Sequence, residues 1–311
     1  MESVKKQSRW AKQLSGDMPS KRRRTLTPQY VITKILFYIL LVVLCVVFLF
    51  PIVWMIMNSL KPHAQIYSDM NSALTFLPSR SASEWFLSYK MLFTIFEEFG
   101  RAIINSIVYC SITIVGVLLV NSLAGYALAR IVFPGSKTLV TIVLLLLIIP
   151  VETSIIPTYV ILKTFGLLNN GNLFRVIGYL LPGLCSPMYI FQFRAFFIGI
   201  PKELEEAAAI DGCSRLGTFF RIIIPCALPV FATVAIFTFM GQWNEYVFAQ
   251  LMFSDPKMQP LQVYLQLINN RNPKDLSLIL ASLTFSTIPI AIVYIFCQRW
   301  IVEGVAFSGL K

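Results

Sequence analysis

The stretch on which the reading turns is Gly199-Ile200-Pro201-Lys202-Glu203-Leu204-Glu205-Glu206-Ala207-Ala208-Ala209-Ile210-Asp211-Gly212, followed by Cys213 to Thr218, Phe219-Phe220-Arg221-Ile222-Ile223-Ile224-Pro225 and Pro229. Pro201 suits the first position of a helix, where a missing N–H costs nothing. Glu203, Glu205 and Glu206 follow in the first turns, where the helix dipole favours carboxylates. Ala207, Ala208 and Ala209 add strong helix propensity with little bulk. Gly212 ends the helix, since a left-handed stop costs about 1–2 kcal/mol for other L-residues and little for glycine. A second short helix is expected from about Leu216 to Ile224, ahead of Pro225. The product is an angled helix pair with a small, smooth face, shaped for docking against another protein. An ordinary amphipathic connector between two apolar segments is the plainer alternative.

The rest of the chain is apolar. Of 311 residues 57% are hydrophobic and 13% charged, so long charge-free runs belong in lipid, where about 20 apolar residues span the bilayer as a helix. Six spans are expected: Ile35–Met57, Ile104–Leu128, Thr138–Leu162, Leu173–Phe197, Ala227–Leu251 and Leu278–Trp300. The fold class is therefore all-α integral membrane, with a basic tail over residues 1–30 and one six-span domain over 31–311. The net charge of +11 does not form the stripe that nucleic acid requires; it gathers at helix ends. With the N-terminus inside, inner segments hold Lys5 to Lys34, Arg130, Lys137, Arg194, Lys202, Arg215, Arg221, Arg299 and Lys311, the majority of the 26 Lys and Arg residues. That bias puts both termini and the 199–225 loop in the cytoplasm. Six scattered cysteines show no metal-ligand or disulfide spacing, and His63 is the lone histidine.

Several polar positions stand out against this background. The outer loop 61–100 carries Trp85, Phe86, Tyr89, Phe93 and Phe96 among charges, as expected of a helix lying in the interface. The loop Phe253–Leu276, with its prolines and asparagines, is placed to cover the outer mouth of a pathway. Span three holds Pro150, Glu152, Thr153 and Pro157. A carboxylate at mid-depth costs about 2.5–3.5 kcal/mol unless it meets a cavity or partner, so Glu152 either faces a pore or sits at the interface beside a Pro150 break. Span five holds Gln242-Trp243-Asn244-Glu245-Tyr246. Such groups either line a polar path, where amides and carboxylates would bind hydroxyls and aromatic faces would stack on rings, or bond helix to helix. Gly116, Ser122, Ala124 and Gly125 read as small-residue packing positions.

The run Glu206-Ala207-Ala208, Asp211-Gly212, Phe219 and Pro225 resembles the EAA loop of ABC-importer permeases. The likeness extends to Leu60-Lys61, Asn105-Ser106, Gly125-Tyr126-Ala127-Leu128-Ala129-Arg130, Ile156-Pro157, Gly166-Leu167, Phe193-Arg194-Ala195-Phe196-Phe197, Trp243-Asn244 and the end from Val302. Two departures are Cys213, where that family usually has alanine, and the long basic N-terminus. The chain is similar to the second six-span permease of maltose-type carbohydrate importers, with a type I importer fold. The resemblance implies a heterodimer with a related permease, two cytoplasmic ATPases that bind ATP and Mg, and an extracytoplasmic sugar-binding protein. It also implies ATPase docking through Glu206, Ala207, Ala208, Ala209, Asp211, Gly212 and Phe219. The chain itself carries no Walker-type phosphate loop: Gly135-Ser136-Lys137 lacks the preceding glycine. No cofactor or metal is expected in it. A membrane enzyme or receptor using Glu152 and Glu245 as paired acids, and a passive channel, are the competing classes.

Overall fold

A computed structural model describes the backbone of residues 28–309 and the side chains up to Gln298; the expected basic tail, except residues 28–30, lies outside the described residues. The chain divides into a unit over residues 1–53 and a unit over 54–311. The described part of the first is most of helix α1 (Pro28–Ser59), almost continuously apolar and with nearly all its side chains exposed. A helix with no apolar–polar division around its circumference belongs in hydrocarbon rather than against water.

The second unit is helical throughout, with no strand among its described residues. After the short α2 (His63–Asp69) and α3 (Leu87–Ile95) comes α4 (Phe99–Arg130), then α5 (Ser136–Leu146), α6 (Ile155–Thr164), α7 (Asn172–Leu180) and α8 (Pro187–Ile198). The 199–226 segment holds α9 (Glu203–Ile210), α10 (Arg215–Thr218) and α11 (Ile224–Cys226); α12 (Leu228–Trp243), α13 (Val247–Met252), α14 (Leu261–Asn269) and α15 (Leu276–Gly309) follow. Helices α1, α4 and α15 are each long and apolar enough to cross a membrane, and three bent pairs bring the total to six.

Those bends correct the expected spans. Thr138–Leu162 is not one helix: its arms meet at 96° around Pro150. Proline lacks the donor the helix needs and pushes its predecessor out of the α region, and Ile148 and Ile149 close with tight turns onto Leu145 and Leu146. Leu173–Phe197 bends by 47° where Ser186 takes an extended backbone and Pro187 starts α8. The fifth span stops at Trp243, short of the expected Leu251, and α13 resumes after Tyr246. The Leu216–Ile224 helix does not end before Pro225 either. It widens to a π turn over Phe219–Ile223 and runs on to Cys226, meeting α12 at 81°. The loop Phe253–Leu276 contains a buried helix, α14, with Leu261, Tyr264 and Ile268 in the core.

Helix α4 is the spine, because all three apolar clusters form on it. One joins Phe99 and Ala102 to Leu92, Phe96, Trp243 and Leu261. The next centres on Tyr109 with Tyr179 and Phe253, and the third on Val117 and Tyr126 with Phe193, Phe197 and Phe219. The aromatic helix α3 therefore does more than lie in the interface: Leu92 and Phe96 are core, and Tyr89 and Phe93 pack edge-on against Phe285. Close approach of α4 and α8 depends on Gly125, where a Cβ would stand 2.7 Å from Phe193 Cβ and 3.0 Å from the backbone nitrogen of Arg194. Polar glue completes the joint. Asn121, fully buried, donates to Val117 O and Leu184 O and accepts from the Ser186 N–H.

The 58–84 segment between the first two spans is stapled by a buried ion pair. Lys61 Nζ lies 3.2 Å from Asp69 Oδ2 and donates to Leu74 O, both side chains being shut from solvent. A buried ammonium is tolerable only when so partnered. Burial pushes the Asp69 carboxyl up, but the Gln65 and Lys61 hydrogen bonds, helped by Arg80, outweigh it and hold its pKa below the ordinary carboxylate value.

Candidate docking helix and intramembrane polar cluster

The 199–226 segment forms an angular knuckle. Lys202 O accepts the Glu205 and Glu206 N–H groups and opens α9, so Pro201 stands just outside the helix instead of inside its first turn. At the far end Gly212 adopts φ +80°, its N–H reaching Ala209 O at 3.1 Å and the Cys213 N–H reaching Ala208 O at 2.9 Å. This paired closure is the Schellman stop that the glycine predicts. Ser214 then caps α10 by accepting the Gly217 N–H.

The seven expected docking residues divide between surface and interior. Glu206, Ala207, Ala209, Asp211 and Gly212 are exposed, whereas Ala208 and Phe219 are buried. Phe219 packs at 5.0 Å between ring centroids on Tyr126 and at 6.3 Å on Phe197. It anchors the knuckle to the spine and has no surface to offer a partner here. Beside the exposed carboxylate and alanines stand Ile210, 87% exposed, Leu216 and Phe220. The sequence reading missed these three; apolar residues recurring within a polar connector were the available signal.

A second feature missed there is the floor of the knuckle. Glu205 turns inward while Glu206 faces out. Its Oε2 accepts from the Tyr126 hydroxyl at 2.8 Å, and its Oε1 lies 2.6 Å from Arg130 Nε. No aligned N–H joins that last pair, so its attraction is chiefly Coulombic. Arg130 also donates through Nη2 to Ile200 O. A cleft of about 250 Å³ lies over this trio, walled by Ala209, Cys213 and Arg215.

The intramembrane positions do not converge. Glu152 sits in the exposed turn Val151–Ser154 between the arms of the third span, and Thr153 folds its hydroxyl back onto Pro150 O. Gln242 and Glu245 instead meet at Tyr179. Gln242 Nε2 donates to the Tyr179 hydroxyl at 2.8 Å, which donates to Glu245 Oε2 at 3.1 Å. Glu245 further accepts the N–H groups of Phe248 and Ala249, closing the open start of α13. Trp243 is buried, stacked on Phe239, and donates to Ser286 O. Asn244 is exposed with its amide on Met240 O. Helix-to-helix bonding thus accounts for Gln242, Trp243 and Glu245. Among the described residues no hydrogen bond or ion pair links Glu152 to Glu245.

The pattern of the binding-protein-dependent transport system inner membrane component family matches residues 121–306. Over 285 residues the chain is 26% identical to the arabinooligosaccharides transport system permease protein AraQ of Bacillus subtilis (strain 168), covering 92% of this chain and 98% of that one. It is 31% identical to the putative ABC transporter permease protein ORF2 of Caldicellulosiruptor sp. (strain Rt8B.4), covering 90% and 98%. Its fold is similar to a chain in the crystal structure of a bacterial ABC transporter involved in the import of the acidic polysaccharide alginate. There the TM-score is 0.75 at 24% identity, with 88% of this chain and 98% of that chain covered.

Proposed function

Because the chain belongs to the family of binding-protein-dependent transport system inner membrane components, we propose that it is the permease subunit through which ATP hydrolysis drives import of an oligosaccharide. An ABC importer permease without an ATPase site of its own must receive its energy from outside. Two cytoplasmic ATPases holding ATP and Mg supply it, a related permease completes the path, and an extracytoplasmic binding protein delivers the sugar. The chain lies in the bacterial cytoplasmic membrane with both termini inside, a placement supported by its Lys and Arg distribution.

The observation that carries this reading is α9, an exposed, alanine-faced helix with a carboxylate at Glu206 and a left-handed stop at Gly212, set between the fourth and fifth spans. Glu206 makes the polar contact in the ATPase cleft, Ala207 and Ala209 permit close approach, and Gly212 sets the angle. Ala208 and Phe219 act from beneath, holding the helix in place. Sugar as cargo is supported by the substrates named for the relatives; of the six candidate path positions Glu152, Thr153 and Asn244 have exposed side chains, while Gln242, Trp243 and Glu245 are engaged with neighbouring helices. The paired-acid enzyme finds no support, since Glu245 is occupied in capping α13 and Glu152 stands apart.

Purification and ligand binding test the proposal together. The chain should copurify with an ATPase and a second permease, and the external protein encoded beside it should bind arabinotriose or an alginate trisaccharide. A chain that purifies alone and turns over either sugar, or passes it without ATP, refutes the proposal.

A further inference from the structure

A push delivered to α9 can reach the membrane helices along the backbone in two directions, through the Gly199–Lys202 linker to α8 and through Gly212 to α10. Both routes pass through non-helical residues, which can absorb displacement by rotating. A third route runs through side chains, and it leads to a different helix. We propose that Glu205 is a positioning residue that ties α9 to the end of α4, so that the second span moves with the docking helix as one body. This rests on the reading of the chain as an importer permease.

Four features support the tie. Glu205 is held at both oxygens, by Tyr126 and by Arg130, and these two residues lie on one face of α4 four positions apart. Arg130 also holds Ile200 O, so the linker that would otherwise rotate is fixed to the same guanidinium. The trio is shielded: the Arg130 side chain is 7% exposed and that of Glu205 20%. In such surroundings an ion pair is screened little by salt. Beneath it Tyr126 packs on Phe197 and Phe219, so α4, α8 and the π turn meet under the same carboxylate. Neighbouring glutamates thereby divide the work, Glu206 facing a partner and Glu205 facing the chain's own spine.

The test uses the full complex with its ATPases, with the six native cysteines replaced and spin labels placed at Glu203→Cys and Val132→Cys. Distances are measured without nucleotide and after trapping with ATP and vanadate. With Glu205 present, one narrow distance should persist in both states. In Glu205→Ala the trapped state should lose that narrow distance and broaden, while the complex stays assembled and still hydrolyses ATP. Glu205→Gln, which keeps an acceptor for Tyr126 but loses the charge, should fall between them. An unchanged narrow distance in Glu205→Ala overturns the tie and leaves the importer reading standing. If Glu205→Ala fails to assemble, Tyr126→Phe decides: broadening on trapping supports the tie, and no change overturns it. Failure of the unaltered chain to bring down any ATPase overturns both the tie and the reading beneath it.

Discussion

Substitution at Gly212 separates backbone strain from packing. A Cβ built there meets nothing within 4 Å, so alanine adds no clash; its whole cost is the φ of +80°. For an L-residue that conformation costs about 1–2 kcal/mol, equivalent to a factor of about 5–30 in the population of the angled stop. The strain is relieved by letting go of Ala209 O and Ala208 O, which unwinds the last turn of α9 and tilts its exposed face. Gly212→Ala should therefore leave the complex assembled but lower the ATP turnover stimulated by loaded binding protein by about 5–30-fold. Gly212→Asn should lose less, since asparagine is several-fold enriched in the left-handed region. Gly212→Leu adds an exposed branched side chain beside the docking face and should abolish the stimulated component. The assay is ATP hydrolysis by the purified complex with and without loaded binding protein, at matched subunit stoichiometry. If the alanine and leucine variants are stimulated like the unaltered protein, the angle set by Gly212 does not transmit force.

Two other sites give independent checks. Gly125→Ala drives its methyl onto Phe193 Cβ and the Arg194 backbone, which cannot move aside, and should cost about 1–3 kcal/mol of stability. Gly116→Ala meets only the mobile end of Leu184 and should cost less, so thermal melting of the two in detergent should rank them in that order. The third check is pH. The Asp69 carboxyl has a folded pKa below its unfolded value, so its stabilising effect is complete above the unfolded value of about 3.9 and is lost as pH falls through the folded one. Hydrogen exchange across residues 58–84 should stay protected from neutral pH down to that value and quicken below it; quickening already between neutrality and about pH 5 contradicts the buried pair.

What the sequence made legible were features resting on one residue's local physics. Gly212 had to be left-handed, and Glu203, Glu205 and Glu206 had to crowd a helix start; both hold, while a break at Pro150 is only one of two readings of a span expected to be continuous. What it concealed depends on the neighbour. Phe219 reads as part of a docking motif, yet Tyr126 lies 93 positions away in the chain and claims its ring. Glu205 and Glu206 are chemically identical, and only the position of Arg130 tells which turns inward. Trp243 and Glu245 read equally as path-lining or as helix-bonding, and only the backbone carbonyl of Ser286 and the open end of α13, which they meet, supply partners for the second reading. α14 stayed hidden because prolines and asparagines flank it, while its apolar face is met by a groove supplied from α4 and α15.

The side-chain ties share one helix. Asn105 of α4 donates to Lys257 O and Gln259 O, Ser106 accepts the Leu261 N–H, and Tyr109 donates to Met258 O, fixing the segment ahead of α14. Midway, Asn121 holds Leu184 and Ser186 at the bend of the fourth span. At the far end Tyr126 and Arg130 hold α9 and its linker. These are places where the backbone leaves its helical ladder, and unmet polar groups within a bilayer are costly, so each tie both satisfies an irregular segment and fastens it to α4. At 32 residues and 1.5 Å per residue α4 is about 48 Å long, enough to run from one membrane face to the other. The α9 linker and the 257–261 segment are thus fastened to opposite ends of one helix. The same polar residues that let a broken, bent set of spans exist in lipid thereby gather its irregular segments onto one helix.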